Sequence, residues 1–302
     1  MYVIDFFKNL ICKRNYGILV WLILNTVIVT AFLGSCIGEG FTSYLLGAAI
    51  YIVVLFVSLS PLGESILRWQ NGCKPIRRIE DQERIMPIFN EVYEKARLRN
   101  PELPDDVRIY LTNSQAANAF ATGRKTVCIT RGMLSYPDEQ IKSVLAHEFG
   151  HLAHKDTDAI LIICVGNLLV SAIFVAIRIV YKIVSAFFAF AFGFVSESFA
   201  GGFIAGFTRV IIDVLLALLM QAWTKFGALL CLHSSRQNEN QADKYSYDLG
   251  YGNALCTFLD SLPPSTEKGL WATLNSSHPD HDDRISYLQS LGCTYRRGVA
   301  AK

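Results

Sequence analysis

The sequence predicts a mainly α integral membrane protein: four transmembrane helices, and a catalytic domain whose small β-sheet lies beside one chemically equipped helix. Three observations carry this. Hydrophobic residues make up 52% of the 302 and charged ones 18%, with a mean hydropathy of +0.31, too apolar for an ordinary soluble domain. Apolar runs of bilayer-spanning length recur along the chain. Between the second and third of them, Val144-Leu145-Ala146-His147-Glu148-Phe149-Gly150-His151-Leu152-Ala153-His154 sets His-Glu-x-x-His in an apolar frame. The net charge of +2 offers no electrostatic footprint for nucleic acid.

In chain order, residues 1–15 are amphipathic, with Lys8, Lys13 and Arg14 ahead of the first apolar run. Gly17 to Gly38 carries no charge, and Tyr44 to Leu59 follows after a connection whose only charge is Glu39. A cleaved signal peptide, or a lipoprotein box at Leu33-Gly34-Ser35-Cys36, would be the rival reading. The length of the first run and the closeness of the second argue against both. Arg68, Lys74, Arg77, Arg78 and Arg84 then cluster after the second run, so the positive-inside rule makes residues 1–60 a hairpin with both ends cytoplasmic.

Residues 61–158 read as the first part of a cytoplasmic domain. Glu83 to Leu98 has helical periodicity, ended by Pro101 and Pro104; Val107 to Leu111 alternates as a strand. Asn118-Ala119-Phe120-Ala121 and Thr126 to Thr130 form a hairpin turned at Gly123-Arg124. Ser135, Pro137, Asp138 and Glu139 then supply a helix start for the His-Glu-x-x-His segment.

A second membrane pair is expected within 159–232. Its first member is Ala159 to Ile177 and its second lies at about 205–227, with 183–200 as an interfacial or external connection. Arg209 and Asp213, at i,i+4, could pair within that last span. Residues 233–302 are polar again and form the second part of the domain, with helices over Arg236 to Leu249, from Cys256, and over Asp283 to Leu291. The eight cysteines are scattered without a Cys-x-x-Cys and read as free thiols.

The chemistry follows from spacing. Residues four apart share a helix face, so His147 and His151 can aim two imidazoles at one ion, with Glu148 beside them as general base. A third ligand must come from a segment able to fold back onto this helix, which selects the carboxy-terminal block. Glu239 is the candidate there; Asp243, one turn on, would accept a hydrogen bond from a ligating imidazole. Spacing alone leaves open that Glu239 and Asp243 merely line a solvated helix. The run Asp280 to Asp283, including His281, reads as a solvated loop.

The motif at 147–151, followed past two apolar spans by Ser-Arg-x-x-Glu-x-x-Ala-Asp at 235–243, resembles the HtpX family of membrane zinc metalloproteases, relatives of the CAAX prenyl proteases. Asn118-Ala119-Phe120-Ala121-Thr122-Gly123 and His278-Pro279 with Arg284-Ile285 match further family segments in order. The resemblance implies a zincin-type α+β catalytic domain with one Zn2+ on His147, His151 and Glu239. It also implies location in the bacterial inner membrane with the domain facing the cytoplasm, and polypeptide substrates, misfolded membrane proteins among them. Asn118, Ala119 and Phe120 are expected to hold an extended substrate at a strand edge. His278, carried over from the family's His-Pro position, is the expected catalytic donor to the oxyanion; a histidine capping the turn before the last helix is the alternative. A proteolytically silent membrane scaffold that keeps a structural metal is the rival function, and the intact Glu148 speaks against it.

Overall fold

The computed structural model describes residues 2–10, 16–191, 237–262 and 281–296, with short pieces between 214 and 226. It is mostly helical with one small mixed sheet. The short helix α1 (Tyr2–Leu10) precedes α2 (Tyr16–Ile37) and α3 (Phe41–Ser58), which contain no Asp, Glu, Lys or Arg. At 1.5 Å per residue these two are about 33 and 27 Å long, enough to cross a bilayer. They pack through small residues: a Cβ on Gly47 would lie 2.8 Å from the Gly34 backbone nitrogen and 2.9 Å from the Thr30 carbonyl. Asn25 is matched on both sides, donating to the Tyr51 hydroxyl (2.6 Å) and accepting from Trp223 Nε1 (2.7 Å).

Among the described residues, Tyr16–Ser35 and Phe41–Ser58 are the segments long and apolar enough to span a membrane as single helices. The expected third run lies in a helix that starts as α7 (Asp158–Ile160), passes through a π-helical stretch (Leu161–Gly166) and continues as α8 (Asn167–Ala191). This helix runs past residue 183, where the sequence suggested a connection. The reason is local: between Gly166 and Gly193 the chain has no glycine or proline to stop it. Most of the expected fourth run lies outside the described residues.

The polar half is organised around α5 (Ile79–Arg99) and α6 (Asp138–His154). Helix α5 starts before the Glu83 that its periodicity suggested, and it accommodates Pro87 on its exposed face, where water can satisfy the carbonyl that proline leaves unpaired. Ile85, Ile88, Phe89 and Val92 of α5 form one buried core with Ile141, Leu145 and Phe149 of α6, and Tyr93 stacks on Phe149. The sheet has the order β1-β2-β4-β3, with β1 Lys74–Pro75, β2 Arg108–Thr112, β3 Ala119–Thr122 and β4 Thr126–Thr130. β2 and β4 are parallel and the other pairs antiparallel. β3, the first strand of the expected hairpin, is therefore an edge.

The hairpin turn is held from the membrane side. Glu64, buried on α4 (Pro61–Gln70), accepts from the Arg124 nitrogen (3.2 Å), the Lys125 nitrogen (3.1 Å) and the Thr126 hydroxyl (2.6 Å). Gly123 has φ +60°, and a Cβ there would sit 2.4 Å from Glu64 Cδ, so only glycine suits both the backbone and the space. The Arg124 side chain meanwhile pairs with Asp5 of α1 (2.6 Å) and Asp158 of α7 (2.7 Å). Elements that adjoin the membrane hairpin thus fix the edge strand in relation to α6.

Candidate metal centre

Helix α6 begins after Pro137, with Asp138 and Glu139 in its first turn where the helix dipole favours acids. Ser135 belongs instead to a preceding 3-10 turn and donates to the Gly132 carbonyl. At the other end Lys155 adopts a left-handed conformation, and His154 Nδ1 lies 2.7 Å from the Gly150 carbonyl oxygen, a local contact close to the helix end.

His147 and His151 share a face of α6, their Nε2 atoms 3.2 Å apart. The helix at 237–248, here α9, crosses this face at Gly150, where a Cβ would meet the Ala242 Cα at 2.8 Å. That close approach brings Glu239 in: Oε2 lies 3.3 Å from His147 Nε2 and Oε1 lies 3.4 Å from His151 Nε2. One ligand atom from each of the three residues falls within 4.8 Å of the others. His147 and Glu239 are buried and His151 nearly so. Two imidazoles and one carboxylate at this spacing form a donor set that fits a divalent transition metal, zinc above all.

The partners around the three are as well arranged. Asp243 Oδ1 is 2.8 Å from His147 Nδ1, which fixes Nε2 as the nitrogen free to bind. Arg284, on α11 (His281–Ser290), grips Asp243 with both arms, Nη2 to Oδ1 at 2.6 Å and Nε to Oδ2 at 2.9 Å. It also lies 3.6 Å from Glu239. On the other imidazole, Asp156 Oδ2 stands 3.5 Å from His151 Nδ1.

These charges decide the protonation of the site. Burial alone would raise the Asp243 pKa, but the Arg284 charge and the bonds to Arg284 and His147 hold it at about 2. Burial and Arg284 both oppose protonation of His147, yet Asp243 and Glu239 outweigh them and raise its pKa. Burial at His151 is likewise outweighed, by Asp156 and Glu239, so its pKa lies well above the ordinary imidazole value. The local field is negative enough to favour a cation.

Glu148 is buried, and its Oε2 accepts from the Ala121 nitrogen at 2.7 Å. This contact shows which groups of β3 face outward. Asn118 accepts from the Thr130 nitrogen through its carbonyl, so residues 118, 120 and 122 turn their backbone toward β4. Ala119 and Ala121 turn theirs away from β4, both residues being buried and the Ala121 nitrogen taken up by Glu148. A cleft of about 370 Å³, counting its open mouth, lies along this edge and is lined by Asn118, Ala119, His147, Glu148, His281 and Arg284 among others.

Of the residues expected from sequence, the fold brings together His147, Glu148, His151, Glu239 and Asp243, with Asn118 and Ala119 at the adjoining cleft. Phe120 is not among the cleft-lining residues, and its backbone faces β4. His278 lies outside the described residues. Arg284 and Asp156 had no assigned role in the sequence reading. Arg284 was visible there only as part of a matched segment, and Asp156 only as an acid five residues beyond His151.

Residues 80–291 match peptidase family M48. Similar proteins include a "Protease HtpX homolog" of Bacillus licheniformis, 28% identical over 89% of this chain and 95% of that protein. Another "Protease HtpX homolog", from Paraburkholderia phytofirmans, is 31% identical over 63% of this chain and 69% of its own length. A "Protease HtpX" of Alcanivorax borkumensis is 26% identical over 83% and 86%.

Proposed function

This chain belongs to peptidase family M48, as a metalloprotease of the HtpX kind, and from that premise we propose that it is a membrane-embedded zinc endopeptidase. Its ion would be held by His147, His151 and Glu239. The observation that carries the reading is the convergence of those three side chains within 4.8 Å from helices far apart in the sequence. A bound zinc supplies Lewis acidity, lowering the pKa of water and polarising a carbonyl. Glu148 takes the proton from the attacking water and passes it to the leaving amine. Asp243 and Asp156 hold the two imidazoles in orientation, and Arg284 keeps Asp243 ionised. The edge-facing backbone groups of Ala119 and the carbonyl of Ala121 receive the substrate as an added strand, with Asn118 at its flank. Substrates in this reading are polypeptides, misfolded membrane proteins first among them. The test is metal content and peptide hydrolysis of the detergent-purified chain. About one zinc per chain is expected, with hydrolysis lost to a chelator and restored by zinc; hydrolysis that persists after complete metal removal would sink the proposal.

The same reading includes the arrangement in the membrane. A zincin-type domain assembled from 61–158 and 233–302 needs both parts on one side, so the chain between them crosses an even number of times. With the hairpin at 1–60 and a pair within 159–232, the count is four and the domain faces the cytoplasm. The bond from Trp223 to Asn25 supports a fourth span beside α2. Reporters fused near residues 75, 155, 240 and 302 should read cytoplasmic, and those near 39 and 200 external. An external reading at 302 would rule this topology out.

A further inference from the structure

The fold gathers four of the scattered cysteines into two pairs. The thiols of Cys73 and Cys128 are in hydrogen-bond contact. So are those of Cys256, on α10 (Gly252–Ser261), and Cys293, whose Sγ stands 2.6 Å from where a Cβ on Gly252 would lie. The metal centre uses neither pair.

Strand register explains the first pair. Val127 and Ile129 of β4 enter the core shared with α5 and α6, so alternation turns Thr126 and Cys128 to the opposite face, toward α4. Arg68 of α4 marks the same face. Its Nη1 donates to the Thr126 hydroxyl at 2.8 Å, and its guanidinium lies 5.2 Å from the ring centre of Tyr110, the β2 residue level with Cys128. Cys73 arrives there because the chain turns back at the end of α4. Its nitrogen donates to the Arg68 carbonyl at 2.9 Å, just before β1 pairs with β2. Cys128 is buried and Cys73 half-buried.

The pairs differ in what surrounds the sulfur. At Cys73 the bond from the Cys128 thiol favours the thiolate; burial opposes it, but the Arg68 charge favours it again, and the pKa is lowered. The same bond, with burial, raises Cys128. In the second pair burial is the largest influence on both thiols, raising Cys293 and taking Cys256 to about 12. Only the first pair sets a reachable, thiolate-prone sulfur against a protonated neighbour.

We propose that Cys73 and Cys128 form a reversible dithiol–disulfide site whose oxidising substrate is a hydroperoxide. Cys73 attacks and Cys128 resolves. The Cys73 sulfur bonds to one peroxide oxygen as the O–O bond breaks, and the Cys73 proton leaves on the other oxygen, as water when the oxidant is hydrogen peroxide. The Cys128 sulfur then bonds to that of Cys73, the S–O bond breaks, and the departing hydroxide takes the Cys128 proton as a second water. Two thiols give up two electrons and one peroxide accepts them. In a reducing compartment such a bond is transient and reports oxidant. It ties β4, the neighbour of the edge strand, to the segment leading from the membrane hairpin. The site depends on neither the metal nor the peptidase reading.

The full chain, zinc-loaded in detergent and freshly reduced, is exposed to a few equivalents of hydrogen peroxide. Samples are alkylated at intervals and their peptides mapped by mass without reduction. The 73–128 link should form at least about tenfold faster than a 256–293 link, and dithiothreitol should reverse it. Cys128→Ala should leave a sulfenic acid on Cys73, trapped by a 1,3-diketone probe, whereas Cys73→Ser should leave Cys128 unoxidised. Closing the loop should raise the melting temperature by about 5 °C or more. The proposal is overturned if the 73–128 link is absent, if the second pair oxidises as fast, or if oxidation lowers the melting temperature. Oxidation of Cys128 in Cys73→Ser would also overturn it, and these arms decide the matter even where Cys128→Ala fails to fold.

Discussion

Replacing Glu148 with glutamine is expected to lower kcat for peptide hydrolysis by about a hundredfold to ten-thousandfold while the metal stays bound. The amide would keep the shape of the side chain and an oxygen able to accept from the Ala121 nitrogen, as Glu148 does at 2.7 Å. What it lacks is a carboxylate able to take up a proton. Because Glu148 is not in the donor set formed by His147, His151 and Glu239, zinc stoichiometry and melting temperature should hardly change. The check pairs metal analysis with single-turnover kinetics. A Glu148→Gln protein with near-normal turnover would remove Glu148 as the base; one without metal would place Glu148 among the ligands.

Glu239→Ala should act on the metal first. It removes the single carboxylate of the donor set, leaving two imidazoles from one helix that cannot enclose an ion by themselves. Zinc after dialysis should fall from about one per chain toward zero, and hydrolysis with it, by about a thousandfold or more. The replacement also takes a counter-charge from Arg284, 3.6 Å from Glu239. Arg284 keeps its two-pronged grip on Asp243, so the domain should remain folded. Adding excess zinc should recover part of the activity, since ligand loss weakens binding without touching Glu148. Full zinc and full activity in Glu239→Ala would show that the third ligand lies elsewhere.

The His-Glu-x-x-His helix, the edge hairpin and the two amino-terminal apolar helices were legible because each depends on local pattern. Helical spacing put His147 and His151 on one face, and the alternation around Gly123 marked the turn. Element limits were less legible. Nothing in the run after Ile177 tells a membrane span from a helix that simply continues.

Glu239 and Asp243 mark the limit of spacing as evidence. On their own helix they are two acids one turn apart, equally suited to solvent. Only the crossing at Gly150 and Ala242 brings Glu239 beside both imidazoles and Asp243 beside His147. Arg284 and Asp156 were harder still, since their roles exist solely through the groups they face. Composition and periodicity by themselves determined that this chain enters a membrane and carries a helix equipped for a metal, because hydropathy and helical phase are properties of neighbours in sequence. The tertiary structure alone decided which carboxylate stands beside the two imidazoles and which cation pairs with Asp243. Those depend on distances between residues as much as 137 positions apart, such as His147 and Arg284, and such distances are set by packing rather than by any local pattern.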